Sequence, residues 1–166
     1  DFKDIIGHEQ VISHMQNAIR QKRFSHAYLL CGEAGSGKRL AAEAFGAENA
    51  FFIVGGATGA SQAMILTACK AGEKLIMPRN VHRSAINALV LNGAVPVYVD
   101  PDENKELGIP LGMSYEAVEK AVLENPDAKA ILVNNPTYYG VCADIKRLAD
   151  LAHSHGMLLL ADEAHG

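Results

Sequence analysis

Short apolar runs alternate with amphipathic stretches along most of the chain. From about residue 60 onward the rhythm is regular. It predicts a helix from about Ala60 to Ala71, a strand KLIMP (74–78), a helix over about Ser84–Asn92 and a strand VPVYV (95–99). A helix SYEAVEKAVLEN (114–125) follows, with Ser114 as its N-cap, then a strand AILVNNP (130–136). The helix DIKRLADLAHSHG (144–156) is closed by Gly156, and MLLLADE (157–163) is the last strand. Upstream, HEQVISHMQNAIRQKR (8–23) places Val11, Ile12, Met15, Ala18 and Ile19 on one helical stripe. HAYLLCG (26–32) reads as a strand, about Lys38–Phe45 as a helix, and AFFIVGG (50–56) as a second buried strand.

Strands that are apolar on both faces cannot border water, so they belong inside a sheet covered on both sides. The expected fold class is therefore α/β: a mostly parallel sheet with helices on both faces and right-handed crossovers. In such sheets chemistry gathers at the carboxyl ends of the strands. Residues 100–113 form the one long connection, expected to be irregular: a lid, a partner contact or a surface insertion.

The 166 residues suffice for one domain with a core, and average apolar and charged content argues for a globular chain. No run approaches the length of a membrane span, and the first ten residues lack the flank and core of a signal peptide. Cys31, Cys69 and Cys142 are far apart and not in metal spacing, so reduced thiols and a cytoplasmic location are expected, with no metal site. The net charge of −4 argues against direct nucleic-acid binding. Residues 1–46 carry six Lys/Arg and five Asp/Glu; residues 47–166 carry nine and fourteen. The charge contrast fits two segments of different character.

The stretch GEAGSGKR (32–39) matches G-x-x-x-x-G-K between a strand and a helix. Gly32, Gly35 and Gly37 would turn backbone N–H groups onto phosphates, and Lys38 would reach the terminal ones. Arg39 stands where a Ser or Thr would hold Mg²⁺, so ATP hydrolysis is not expected. A Gly-rich turn without nucleotide is the simpler reading. With the residues before it, the segment of about 1–45 resembles the start of the delta-prime subunit of bacterial DNA polymerase III. That resemblance implies a clamp-loader role in DNA replication through partner subunits. The terminal LLLADEAHG resembles a Walker B or helicase box, but no aromatic stacking series for single strands accompanies it.

A different set of residues runs from 55 to 166. GGATGAS (55–61) follows a predicted strand and opens a helix, so Ala57, Thr58 and Gly59, with Ser61 near them, form either a phosphate cup or a plain helix cap. His82 lies just past a strand end, where it either stacks on a flat cofactor or caps a helix. In NNPTYYG (134–140), Asn135, Thr137 and Tyr138 offer donors at the next strand end, or make a proline turn. Asp162 ends an apolar strand, where a carboxylate needs a partner; a protonated pyridine nitrogen suits it, with the small Ala164 beside it.

In this order the residues resemble the fold type I pyridoxal-phosphate (PLP) enzymes, and more narrowly the Orn/Lys/Arg decarboxylase family. AAEAFGAENAFFIVGGATGASQAMIL, MPRNVHRSAINALVLNGAVPVYV and NPTYYGVCADIKRLADLAHSHGMLLLADEAHG carry the likeness, over about residues 40–166. The family's cup usually has Asn at the position of Gly55 and hydroxyls near Ala57; this chain departs there. The resemblance implies that Ala57, Thr58 and Gly59 hold the phosphate of the cofactor pyridoxal 5'-phosphate, with Thr137 also at the cofactor. It implies that His82 stacks on the ring, Asp162 pairs its nitrogen and Ala164 packs against its face. It implies a basic amino acid as substrate, loss of its carboxylate, and a homo-oligomer that completes the site. The family's Schiff-base lysine stands in a His-Lys context that none of the present lysines has, so no catalytic residue is assigned and turnover by this segment is not expected. RLAAEAFG (39–46) fits both likenesses, which reads as a chimeric join: a clamp-loader segment over 1–45, then part of a decarboxylase large domain over 46–166.

Overall fold

The computed structural model describes Phe51, Ile53 and residues 55–165. The predicted elements at 8–23, 26–32 and 38–45 lie outside the described residues, as do Gly32, Gly35, Gly37 and Lys38. The chain divides into two compact units, Asp1–Ala57 and Thr58–Gly166. The account below concerns the second and the helix that opens it.

Ten elements follow in order: α1 (Gly56–Ala68), β1 (Lys74–Pro78), α2 (Arg83–Asn92), β2 (Val95–Val99), β3 (Glu103–Asn104), β4 (Ile109–Pro110), α3 (Tyr115–Glu124), β5 (Ala130–Asn134), α4 (Ile145–Ser154) and β6 (Leu158–Asp162). The sheet has the order β2-β1-β5-β6, and every pair in it is parallel. The expected α/β architecture is thus present, with the strands KLIMP and VPVYV at their predicted bounds.

Helices cover both faces because the chain reverses its direction across the sheet. It steps outward from β1 to β2, then returns past β1 to β5 and continues to β6. Right-handed crossovers in opposite directions place their helices on opposite faces. Accordingly α2 packs with α1 on one face: Ile65, Cys69, Ala85, Ala88 and Leu89 meet Leu75, Met77, Ala130 and Leu132. On the other face α3 and α4 bring Val118, Val122, Leu148 and Leu151 against Ile76, Ile131 and Val133. The i, i+3, i+4 sets Val118/Ala121/Val122 and Leu148/Leu151/Ala152 are the buried residues of α3 and α4. The reversal between β1 and β5 is a topological switch point, where open α/β sheets place ligands beyond the strand ends.

Two expectations need correction, and two others hold with a difference in detail. Phe51 and Ile53 stand outside any strand, and helix α1 begins at Gly56, within the stretch expected to end the strand at 50–56. The connection 100–113 is ordered as a hairpin: β3 and β4 pair antiparallel, and Asp102 N–H donates to Gly112 O while Leu111 N–H donates to Asp102 O. Its turn is set by Asn104, whose Oδ1 accepts from the N–H groups of Glu106 and Leu107. Ser114 does occupy the N-cap of α3, but its hydroxyl makes no capping bond. Helix α4 ends at His155, with Gly156 one position beyond at φ +70°. There Gly156 N–H bonds His153 O and Met157 N–H bonds Ala152 O, the paired closure that a left-handed glycine permits.

Candidate cofactor site at the carboxyl edge of the sheet

Side chains alternate along a strand, so Asp162 shares the parity of Leu160, which packs on the α1/α2 face. Helix α1 runs antiparallel to the strand it feeds. Its far end lies at the foot of β1, where Cys69 Sγ reaches Lys74 O at 3.8 Å. Its first turn, with Thr58 and Gly59, is therefore at the carboxyl end of the strands. His82 caps α2 on the same face. Thr58, His82 and Asp162 thus lie on one face and at one end of the sheet.

Each is differently prepared. Helix α1 has no acidic residue in its first turn, so no carboxylate there repels an anion at the positive end of the helix. Thr58 is exposed in that turn, and Gly56 has φ +65° with open space where a Cβ would stand. Ser61, one turn on, is buried, and its Oγ has no hydrogen-bond partner. A buried hydroxyl left so is costly, and a phosphate oxygen at the helix start is the kind of partner it would take. The His82 ring is exposed. Its Nδ1 accepts from Ser84 N–H at 3.2 Å and lies 2.9 Å from Ser84 Oγ. That is a helix cap, yet it also fixes the tautomer: an Nδ1 that accepts leaves the proton on Nε2. Capping and stacking are compatible, because the cap uses a ring edge and stacking uses a face.

Asp162 is half-buried, and its Oδ1 accepts from Ala164 N–H at 3.1 Å. Ala164 is exposed beside it. The strand end is braced by Asn135. Its N–H donates to Asp162 O, its Nδ2 donates to Glu163 Oε1, and its Oδ1 accepts from Ala143 N–H. The donors expected from Asn135 are therefore spent within the protein.

Thr137 departs from expectation. It is buried, its Oγ1 accepts from Val141 N–H at 3.2 Å, and its backbone closes the same turn. It lines a cavity that His82 and Asp162 do not border. Tyr138 is 80% exposed and meets Tyr139 and His165 edge-on, at 5.5 and 5.7 Å between ring centres. Ser84 and Asn135 were the positions missed as supports. A serine two residues past a capping histidine is the signal that marks the first.

The Orn/Lys/Arg decarboxylase, major domain, family profile matches residues 1–166. The chain belongs to the Orn/Lys/Arg decarboxylase family. It is 51% identical over 127 residues to an arginine decarboxylase of Bacillus subtilis, covering 76% of this chain and 26% of that protein. It is 44% identical over 165 residues to an arginine decarboxylase of Halalkalibacterium halodurans, covering 99% of this chain and 33% of that protein. The chain thus spans about a third or less of these relatives. Among solved structures, the Escherichia coli GDP-4-keto-6-deoxy-D-mannose-3-dehydratase with bound hydrated PLP superposes with a TM-score of 0.61. It is 21% identical, over 95% of this chain and 39% of that one. The fold is that of the fold type I PLP-dependent enzymes. The family match runs over 1–45 as well, the segment likened above to a clamp loader.

Proposed function

We propose that this chain is the cofactor-holding part of a PLP-dependent decarboxylase acting on a basic amino acid, with arginine favoured by the names of its relatives. The observation that carries the reading is the convergence of a helix start without acidic residues, a capped histidine and a strand-end carboxylate on one face. The donor set fits the cofactor: N–H groups and Thr58 for a phosphate, Asp162 for a protonated ring nitrogen. When bound, pyridoxal phosphate supplies an electron sink for the pair left as CO₂ departs.

The protein's own residues then have separate tasks. Asp162, anchored through Ala164 N–H and braced by Asn135, holds the proton on the ring nitrogen. His82, whose Nδ1 edge is held by the Ser84 bonds, would offer its ring face to the cofactor. The α1 N-terminus takes the phosphate. No lysine of these 166 residues stands in the family's His-Lys context, so this segment binds and tunes rather than turns over.

Absorbance titration with pyridoxal phosphate tests this. Saturable binding should weaken about tenfold or more in Asp162→Ala and less in His82→Ala. A spectral change that survives both substitutions contradicts the reading. The clamp-loader likeness of residues 1–45 rests on the loop GEAGSGKR with the residues before it, and the chimeric join on RLAAEAFG (39–46). Nucleotide binding by the chain that disappears in Lys38→Ala would support them, and its absence would remove them.

A further inference from the structure

On the α3/α4 side, beyond the ends of β1 and β5, lies a cavity of ≈ 170 Å³. The hairpin base, the start of α3 and the turn after β5 enclose it. Leu111, Met113, Val133 and Leu148 give it apolar walls.

Its charged lining is of one sign. Asp102 lines the cavity from the hairpin base, where its backbone N–H and carbonyl are engaged, and it is the one carboxylate residue of the lining. Ser114 stands at the N-cap of α3 with its hydroxyl uncommitted. Asn134 spends its Nδ2 on Asn80 O at 3.4 Å, which leaves Oδ1 as an acceptor. No Lys, Arg or His lines the cavity. The lining therefore carries one acidic residue, Asp102, and no basic one, over apolar walls.

We propose that this cavity binds a small organic cation: an ammonium or guanidinium head at Asp102 with a short alkyl body against Leu111, Met113, Val133 and Leu148. An anion would meet the carboxylate. A bare metal ion would find one carboxylate among hydrocarbon, and no group of three or more His, Cys, Asp and Glu able to hold a metal occurs among the described residues. An alkyl cation satisfies both halves of the lining, because its head needs acceptors and its chain gains from leaving water. The site would let the chain sense amines of the class its family produces and consumes, through residues that include neither His82 nor Asp162.

Calorimetric titration of the purified chain, without pyridoxal phosphate, tests the proposal with four probes: butylamine, butylguanidine, butyrate and butanol. One or both cations should bind, with butyrate and butanol at least about tenfold weaker; the two cations distinguish an ammonium from a guanidinium site. Asp102→Asn should weaken cation binding about tenfold. Gly112→Val should abolish it by filling the cavity. Gly112 has no left-handed φ, and a Cβ there would stand 3.8 Å from Thr137 Cγ2, an ordinary contact. Thermal melts confirm that both variants fold, and the four probes on the unaltered chain decide the matter if Asp102→Asn disturbs the hairpin. Equal binding of all four probes, binding of none, or cation binding unchanged in both folded variants would overturn it. Because no cofactor is present, a negative result leaves the pyridoxal phosphate reading untouched.

Discussion

The two faces of the sheet are packed from different residues, and the difference shows at their carboxyl ends. The α3/α4 face is built largely of Val, Ile and Leu, including Val118, Val122, Ile131, Val133 and Leu148. The α1/α2 face carries Ala85, Ala88, Ala94, Ala130 and Cys69 among its buried residues. Two of these small residues, Ala85 and Ala88, lie on α2, the helix that His82 caps. On the other face a hairpin and a turn close over a cavity. One face positions polar groups for a flat, charged ligand. The other leaves a lined hollow.

The comparison can be broken most severely from the large-residue side. Ile131 is fully buried in β5, and Ile131→Ala should cost about 2–5 kcal/mol in chemical denaturation, as cavity-forming changes do. On the small-residue side the damaging change is the opposite one. Ala88→Leu should cost about 1–3 kcal/mol by overpacking. Because α2 carries the His82 cap, it should also weaken pyridoxal phosphate binding, which Ile131→Val should not.

A finer contrast lies at two helix starts of the same face. Asp144 Oδ1 accepts from Arg147 N–H at 3.1 Å, whereas Ser114 makes no such bond. Asp144→Ala should therefore lose about 1 kcal/mol, and Ser114→Ala less than about 0.5, in paired thermal melts. The two cysteines of this unit should also part company. Burial pushes the Cys69 thiol above its ordinary range, while Cys142 is exposed. Peptide mapping after brief thiol labelling should find Cys142 modified and Cys69 spared until the chain unfolds.

The smallest effect concerns pH. The bond from Lys74 at 2.9 Å holds the Asp127 carboxylate below its usual range. A depressed carboxylate stabilises the fold above its unfolded range, and that contribution is lost as pH falls through its lowered folded value. The melting difference between the unaltered chain and Asp127→Asn should accordingly be small at neutral pH and vanish in acid.

Much of this was legible in the sequence because period and parity carry it. The apolar strands at 74–78 and 95–99 and the i, i+3, i+4 stripes of α3 and α4 follow from burial alone. Asp162 was legible because a carboxylate closing an apolar strand needs a partner. What was not legible depends on which hydrogen bonds win locally. The Asn104 side chain folds 100–113 into a hairpin that composition alone does not reveal. Asn135 and Thr137 look like free polar groups, yet Asn135 bonds Glu163 and Ala143 and the Thr137 hydroxyl accepts from Val141 N–H. Residues 50–56 are apolar enough for a strand, but Gly56 already opens α1, and apolarity does not say where a helix begins.

The most direct test of the account is a map of amide shifts across the labelled chain as pyridoxal phosphate is added. The expected result is a saturable set of changes at the first turn of α1, around Thr58, at His82–Ser84 and at Asp162–Ala164, with residues around Asp102 and Cys142 unmoved. Changes centred on the cavity side, or scattered without saturation, would contradict the claim that one face of the sheet is arranged for the cofactor.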